Sequence, residues 1–197
     1  MTTILHIKSS SNYQGSITRK IGELAIETLK NQHNEAVIIE RDLIQNTIAH
    51  VTPKFVAALF SENDNAEELA LSDKLIDELF SSNIIVIEAP MYNFNIPSVL
   101  KAWIDHIVRA KKTFHYTQSG PEGLLKEKKV ILILSSGGLY SDGPTKALDY
   151  QEPYLRTILN FIGIFDIELI RIEGTALGQD TLNISLSQAT EKALSLR

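Results

Sequence analysis

Ser, Gly, Asn and Tyr crowd into three short stretches of the chain, each following a run of apolar residues. The first, Ser9-Ser10-Ser11-Asn12-Tyr13-Gln14-Gly15-Ser16-Ile17-Thr18, offers hydroxyls and backbone N–H groups where a helical pattern begins. A helix N-terminus attracts anions, and small hydroxyl side chains let a phosphate come close. The same residues also suit a simple N-cap at Ser16 behind a polar turn. The second stretch, Ala89-Pro90-Met91-Tyr92-Asn93-Phe94-Asn95-Ile96-Pro97, has two aromatic rings that can pack along a flat heteroaromatic ligand and an amide that can bond its polar edge. Equally, its aromatics can cap a core and its asparagines make local turns. The third, Ser135-Ser136-Gly137-Gly138-Leu139-Tyr140, carries paired glycines that allow close backbone approach to a ligand.

Several other chemistries lack their residues. Gly138 to Gly143 has the glycine spacing of a phosphate-binding P-loop, but Pro144 stands where the lysine is required. The GxGxxG dinucleotide fingerprint and the GxSxG nucleophile elbow are both missing. With no cysteine, thiolate metal sites, iron–sulfur clusters and a cysteine nucleophile drop out. His33, His50 and His106 lack metal-ligand spacing, so no metal site is expected. His6 lies inside the first apolar run and reads as structural, and His115 as an exposed or packing residue rather than a proton donor. Without a serine–base pair, a phosphodiester or acyl hydrolase is the weaker enzyme alternative.

The elements that must position these loops alternate between strand-length apolar runs and helical patterns, the sequence form of a parallel α/β sheet. Strands are expected over Thr3 to Lys8, Glu35 to Arg41, Ile84 to Glu88, Lys129 to Ser135 and Asp166 to Ile172. Helices are expected from about Ser16 to Gln32, Ala66 to Ser81, then around Leu100 to Val108 with Pro97 in its first turn, and from Leu148 to Phe161 with Gly163 as its cap. Leu182, Leu186, Ala189 and Ala193 space a last helix, and a short one is expected around Phe55 in a connection containing Pro53 and Asn63-Asp64-Asn65. The expected fold is a flavodoxin-like three-layer sandwich with strand order 2-1-3-4-5, a Rossmann variant being the second choice. In such a sheet, ligands bind beyond the carboxyl ends of the strands, where all three loops fall.

The 197 residues suit one domain spanning the chain. Nineteen Lys and Arg against 24 Asp and Glu leave a formal charge of -5, which offers no basic field to nucleic acid or an anionic membrane. The longest wholly apolar runs are far short of the roughly 20 residues of a membrane span. The opening residues lack the basic and apolar regions of a signal peptide, so a cytoplasmic location is expected.

Together the loops resemble the FMN-dependent NADH:azoreductases, also described as FMN-dependent NADH:quinone oxidoreductases. The likeness rests on Pro90-Met91-Tyr92-Asn93-Phe94-Asn95-Ile96-Pro97, the Leu-Lys-x-Trp-Ile-Asp helix after it, Thr113-Phe114-x-Tyr116 and Gly120-Pro121-x-Gly123-Leu124. Lys8-Ser9-Ser10, Asp142-Gly143-Pro144, Phe161-Ile162-Gly163-Ile164 and Glu173-Gly174 also fall in order. The resemblance implies a homodimer with one non-covalent FMN per subunit, NADH as hydride donor and quinones or azo compounds as acceptors in a ping-pong cycle. It places the FMN phosphate at Ser10 and Ser16-Ile17-Thr18, and the flavin ring against Met91, Tyr92, Asn93 and Phe94, with Ser135, Ser136, Gly137 and Gly138 closing another side. No protein side chain is assigned a catalytic role, since the cofactor carries the chemistry. The chain departs from the family's pattern at Ser136, where Arg is common, and at Lys111-Lys112, where a Gly and a small residue are. A non-catalytic electron carrier would share the FMN site and differ only in slow turnover of NADH.

Overall fold

The computed structural model describes residues 1–61 and 67–197. The connection Asn63-Asp64-Asn65 and the expected helix start at Ala66 lie outside the described residues. Five parallel strands, β1 (Thr3–Lys8), β2 (Val37–Asp42), β3 (Ile84–Pro90), β6 (Lys129–Ser135) and β7 (Asp166–Ile172), form one sheet in the order β2-β1-β3-β6-β7. This is the expected order, with a separate two-stranded hairpin, β4 (Phe114–Thr117) and β5 (Gly120–Gly123), inserted between the third and fourth strands of the sheet.

Side chains along a strand point alternately to the two faces, and both faces here are covered. Ile4, Val86, Ile131, Ile133, Ile170 and Ile172 pack against α1 (Ile17–Gln32) and α6 (Gln179–Leu194). Leu5, Ile7, Ile85, Ile87, Leu132 and Leu134 pack against α3 (Ala70–Ser81), α4 (Ser98–Ile107) and α5 (Glu152–Phe161). The interior strands are therefore apolar on both faces apart from a few polar positions, where a sheet wet on one face would alternate. The short α2 (Pro53–Leu59) contributes Phe55 to a small satellite cluster.

Several boundaries differ from the expectation for identifiable reasons. The helix expected from Leu148 begins at Glu152, because Pro153 has no N–H to donate and is accommodated only in a first turn. The Asp149 carboxylate caps the real start, accepting from the Gln151 and Glu152 N–H groups at 2.9 and 3.2 Å, and Pro144–Leu148 forms a separate 3-10 turn. Pro97 is the N-cap of α4 rather than part of its first turn, and its carbonyl accepts from Leu100 and Lys101. β3 runs two residues beyond Glu88, pairing Pro90 with Ser135, so the second loop leaves the sheet later than its composition suggests.

One polar pair lies inside the apolar layer. His6 on β1 and Glu88 on β3 point to the α1 face and meet Nε2 to Oε1 at 2.5 Å, both almost wholly buried. Burial pushes the Glu88 carboxyl above its ordinary range, against the opposing pull of His6. Gly22 of α1 lies directly over this carboxylate, and a Cβ there would collide with the Glu88 side chain. Helix propensity alone would make Gly22→Ala stabilising by about 1 kcal/mol. The contact predicts the opposite sign, a loss of about 1–3 kcal/mol from overpacking; chemical denaturation decides between them.

Candidate functional site

The loop after β1 is shaped by a single arginine. Ser16 caps α1, its Oγ accepting from the Arg19 N–H at 3.2 Å and lying 3.1 Å from Thr18 Oγ1. Arg19 folds back so that Nε and Nη2 donate to the Ser10 carbonyl at 3.1 and 2.7 Å, while Nη1 and Nη2 donate to the Asp42 carboxylate at 2.8 and 3.2 Å. The Tyr13 ring lies 4.5 Å from the guanidinium carbon. Asp42, at the end of β2, also accepts from the Ile44 and Gln45 N–H groups. Burial works against the Asp42 charge, but the hydrogen bonds from Arg19 and the two amides outweigh it and hold the carboxyl below its ordinary range. The guanidinium charge is thus already matched by Asp42. An anion arriving here meets hydroxyls, the positive helix end and the N–H groups of Ile17 and Thr18, which find no acceptor among the described residues.

The loop after β3 is a two-residue turn. Tyr92 and Asn95 exchange backbone hydrogen bonds, Tyr92 N–H to Asn95 O at 2.8 Å and the reverse at 3.1 Å. Asn93 and Phe94 between them have φ of 49° and 69°. Positive φ at both central positions is the signature of a type I′ turn, easy for Asn and strained for Phe. The Asn93 and Phe94 N–H groups are also without acceptors among the described residues. Both readings of Asn93 therefore meet in one residue: it makes the turn and leaves its exposed amide side chain uncommitted.

The three loops are tied together. The Tyr92 hydroxyl lies 2.8 Å from Ser11 Oγ, and the Met91 N–H donates to the Ser135 carbonyl at 2.7 Å. The Phe94 ring meets Tyr140 edge-on at 6.1 Å between centroids, and its carbonyl accepts from the Tyr150 N–H at 3.1 Å. In the third loop Ser136 is buried, its N–H bonded to the Ile172 carbonyl at 2.9 Å and its hydroxyl to the Gly138 carbonyl at 2.9 Å. The Gly137 and Gly138 N–H groups, by contrast, donate to nothing among the described residues. The structure thus gathers Ser10, Ser16, Ile17 and Thr18 at one helix start, Met91 to Phe94 in one turn, and Ser135 to Gly138 beside it. Donors for an anion, aromatic faces for a flat ring and free amides for its polar edge lie at the carboxyl end of the sheet. That donor set fits a flavin mononucleotide, with its phosphate and its planar, hydrogen-bonding ring.

Residues that composition did not single out hold this arrangement. Arg171 on β7 bonds Asp149 at 3.0 Å, Glu152, and Glu173 at 3.3 Å. Burial opposes its charge, but the Asp149 hydrogen bond and the fields of these carboxylates raise its pKa further. Gln151, nearly fully buried, donates from Nε2 to the Ala89 carbonyl at 3.0 Å and anchors the second loop to α5. A charged residue such as Arg171 between Ile170 and Ile172 was the available signal, but its partners Asp149 and Glu152 are distant in sequence. At the Lys111-Lys112 departure, Lys112 lies 3.4 Å from Asp73, beside the partly buried Arg109–Asp73 pair. His115 lies 3.5 Å from Glu122 on the hairpin, half exposed.

A cavity of about 740 Å³ lies elsewhere, at the amino ends of β3, β6 and β7 between Asn83, Lys128, Phe161 and Phe165. Its lysines are engaged, Lys126 with Glu122, Lys129 with Glu168, and Lys128 with the Phe80 and Ser82 carbonyls. Among the described residues no cluster of three or more His, Asp or Glu could hold a metal, and no helix is long and apolar enough to cross a membrane.

A family described as having a flavodoxin-like fold, Flavodoxin_2, matches residues 2–196. A protein of Francisella philomiragia named FMN-dependent NADH:quinone oxidoreductase is 50% identical over 196 residues, covering 100% of this chain and 99% of its own. One of the same name from Herminiimonas arsenicoxydans is 44% identical over 195 residues, covering 96% of each. Among solved structures, an azoreductase from Bacillus anthracis superimposes with a TM-score of 0.89 at 28% identity over 100% of both chains. An FMN-dependent NADH-azoreductase from that species, in complex with FMN, gives 0.87 at 28% identity over 98% of both.

The Arg19–Asp42 pair makes a pH-dependent prediction. A carboxyl whose folded pKa is depressed contributes stability above its unfolded value, lost as pH falls through the folded one. Asp42→Asn should cost on the order of 3 kcal/mol at neutral pH. The gap between variant and wild type should close as pH falls below about 4; thermal unfolding across pH 3–7 measures it.

Proposed function

The chain belongs to the Flavodoxin_2 family of flavodoxin-like folds, and from this premise we propose that it is an FMN-dependent oxidoreductase that uses NADH to reduce quinones and azo compounds. The observation that carries the reading is geometric: three hydrogen-bonded loops bring uncommitted donors and two aromatic rings to one edge of the sheet. Relatives named for this activity, at up to 50% identity over nearly their whole length, support it. FMN bound between these loops would supply the redox chemistry, as the hydride carrier between NADH and the acceptor in a ping-pong cycle.

The chain's own residues bind and orient. Ser10, Ser16 and Thr18, with the Ile17 and Thr18 amides, hold the phosphate; Arg19 fixes their loop without spending its charge on the ligand. Met91, Tyr92, Asn93 and Phe94 form one wall for the ring, and the Tyr92 hydroxyl keeps that wall joined to the phosphate loop through Ser11. Ser135, Ser136, Gly137 and Gly138 form the other wall, the free Gly137 and Gly138 N–H groups facing the polar edge that gains negative charge on reduction. Residues 1–197 act as one FMN-binding unit, working as a cytoplasmic homodimer with no nucleic-acid or membrane partner.

Purified protein reconstituted with FMN should retain one equivalent per chain, bleach rapidly on anaerobic addition of NADH, and recover its colour when a quinone is added. FMN retained without bleaching would favour the electron carrier; no retention would reopen the hydrolase. Replacing Ser16 and Thr18 together by Ala should weaken FMN binding at least tenfold, about the loss of two modest hydrogen bonds. Undiminished flavin after dialysis would refute the phosphate assignment. Asn93→Gly keeps the turn and removes the amide, whereas Asn93→Ala removes both. If the side chain contacts the ring, both variants perturb the flavin spectrum; if Asn93 serves only the turn, Gly is silent.

A further inference from the structure

We propose that Glu173 is the positioning residue for the Gly137-Gly138 amide pair, and that the reach of its side chain, rather than its charge, tunes the loop toward reduced FMN. The inference rests on the functional reading above, in which this pair faces the flavin.

Two glycines give the third loop little with which to hold its own shape, so its geometry comes from ties to the segment after β7. On the near side the Gly137 carbonyl accepts from the Ala176 N–H at 3.0 Å, and the Gly138 carbonyl from the Gly174 N–H at 3.0 Å. On the far side Glu173 supplies the anchor: Oε1 accepts from the Tyr140 and Ser141 N–H groups at 2.6 and 2.8 Å, and Oε2 from the Ser141 hydroxyl at 2.5 Å. The Thr145 hydroxyl also binds the Leu139 carbonyl at 2.5 Å, but from an exposed stretch of the same connection.

Glu173 is itself fixed. It is 9% exposed, its own N–H donates to Ser185 Oγ on α6 at 2.9 Å, and Oε1 lies 3.3 Å from Arg171 Nη1. Its grip on Tyr140 extends to the opposite wall, because the Tyr140 ring lies over Gly138 and meets Phe94 edge-on. The planes of the free amides are set from the near side, where the Ser136 and Gly137 carbonyls accept from the Thr175 and Ala176 N–H groups, and one carboxylate holds the far end of that loop and the spacing of the two walls. Donors fixed in advance toward developing charge stabilise it more than donors that must reorganise. Loosening the anchor should therefore weaken binding of the reduced, more negative flavin more than that of the oxidised form.

The contact geometry separates reach from charge. In Glu173→Gln the amide oxygen can still accept both N–H bonds, and its NH₂ can donate to Ser141 Oγ, while Arg171 keeps Asp149 and Glu152. In Glu173→Asp the charge beside Arg171 stays, but the oxygens withdraw by one methylene from Tyr140 and Ser141. Glu173→Ala loses both.

The test measures, for wild type and all three variants, the Kd of oxidised FMN and the ratio of reduced to oxidised FMN affinity, taken from the midpoint potentials of free and bound flavin. Hydrogen exchange of the Gly137–Ser141 amides in FMN-free protein accompanies it. The Asp variant, and Ala where it folds, should lower the affinity ratio about tenfold, the worth of one good hydrogen bond, and expose the Tyr140 and Ser141 amides to exchange. Gln should stay within about threefold of wild type on both readouts. The reverse order, Asp like wild type and Gln like Ala, would overturn the proposal by making Glu173 only a charge partner of Arg171. So would a ratio unchanged in every variant, whatever their stability. A wild type that takes up no FMN would instead refute the functional reading, and the flavin part of this inference with it.

Discussion

A parallel sheet covered on both faces by helices has its polar opportunities confined to the ends of its strands, and everything functional in this chain follows from that confinement. The layers on either side of β1, β3 and β6 are apolar, so loops cannot be satisfied by turning inward. At the carboxyl end they bond to one another instead, Tyr92 to Ser11 and Met91 to Ser135, and the amides left over are those with no neighbour to take them. Most of the unpaired N–H groups at this edge belong to residues with exposed surface, Ile17, Asn93, Phe94, Gly137 and Gly138, where water or a ligand can accept from them; Thr18 is buried.

Polar groups admitted into the interior follow a stricter rule. Arg19 is matched by Asp42 and by a carbonyl, and Arg171 by three carboxylates. Each of these two cations ties a strand end to a loop, so both sit where the site is held. The His6–Glu88 pair differs, having no loop to hold: Glu88 Oε1 meets His6 beneath Gly22, and Oε2 is left without a partner among the described residues. The small residue at that point in α1 makes room for the carboxylate under the helix.

Legibility in the sequence tracked the range of the interaction responsible. The five sheet strands and their order could be read because a doubly covered strand announces itself within six or seven residues. Ser16 could be read as a cap because its partner, Arg19, is three residues away. The start of α5 was misread where Pro153 should have shortened it, and the β4–β5 hairpin escaped notice because four-residue strands carry too little alternation. Within the site, the twelve residues named from the loops do lie in three adjoining groups. The residues that hold them were given no such role, Arg19 and Arg171 going unnamed and Glu173 entering only as part of the Glu173-Gly174 likeness, since their partners sit 23, 22 and 33 residues away. Asn93 shows the limit from the other side: a turn residue and a ligand-facing residue have the same spelling, and only its φ of 49° reveals that it is at least the first.

The Asn93-Phe94 turn carries a consequence for altering the range of acceptors. Both positions line the mouth of the proposed slot, and both sit in left-handed backbone where most side chains are strained. Randomising them would be filtered first by foldability, leaving few variants beyond Asn, Asp and Gly at 93 whatever the acceptor demands. Tyr140, which faces Phe94 across the gap, carries no such backbone strain, and a change in its size or polarity costs only the contacts its ring makes with Gly138 and Phe94. The evolvable wall of the slot is therefore the one built on glycines, and the aromatic wall is the conservative one.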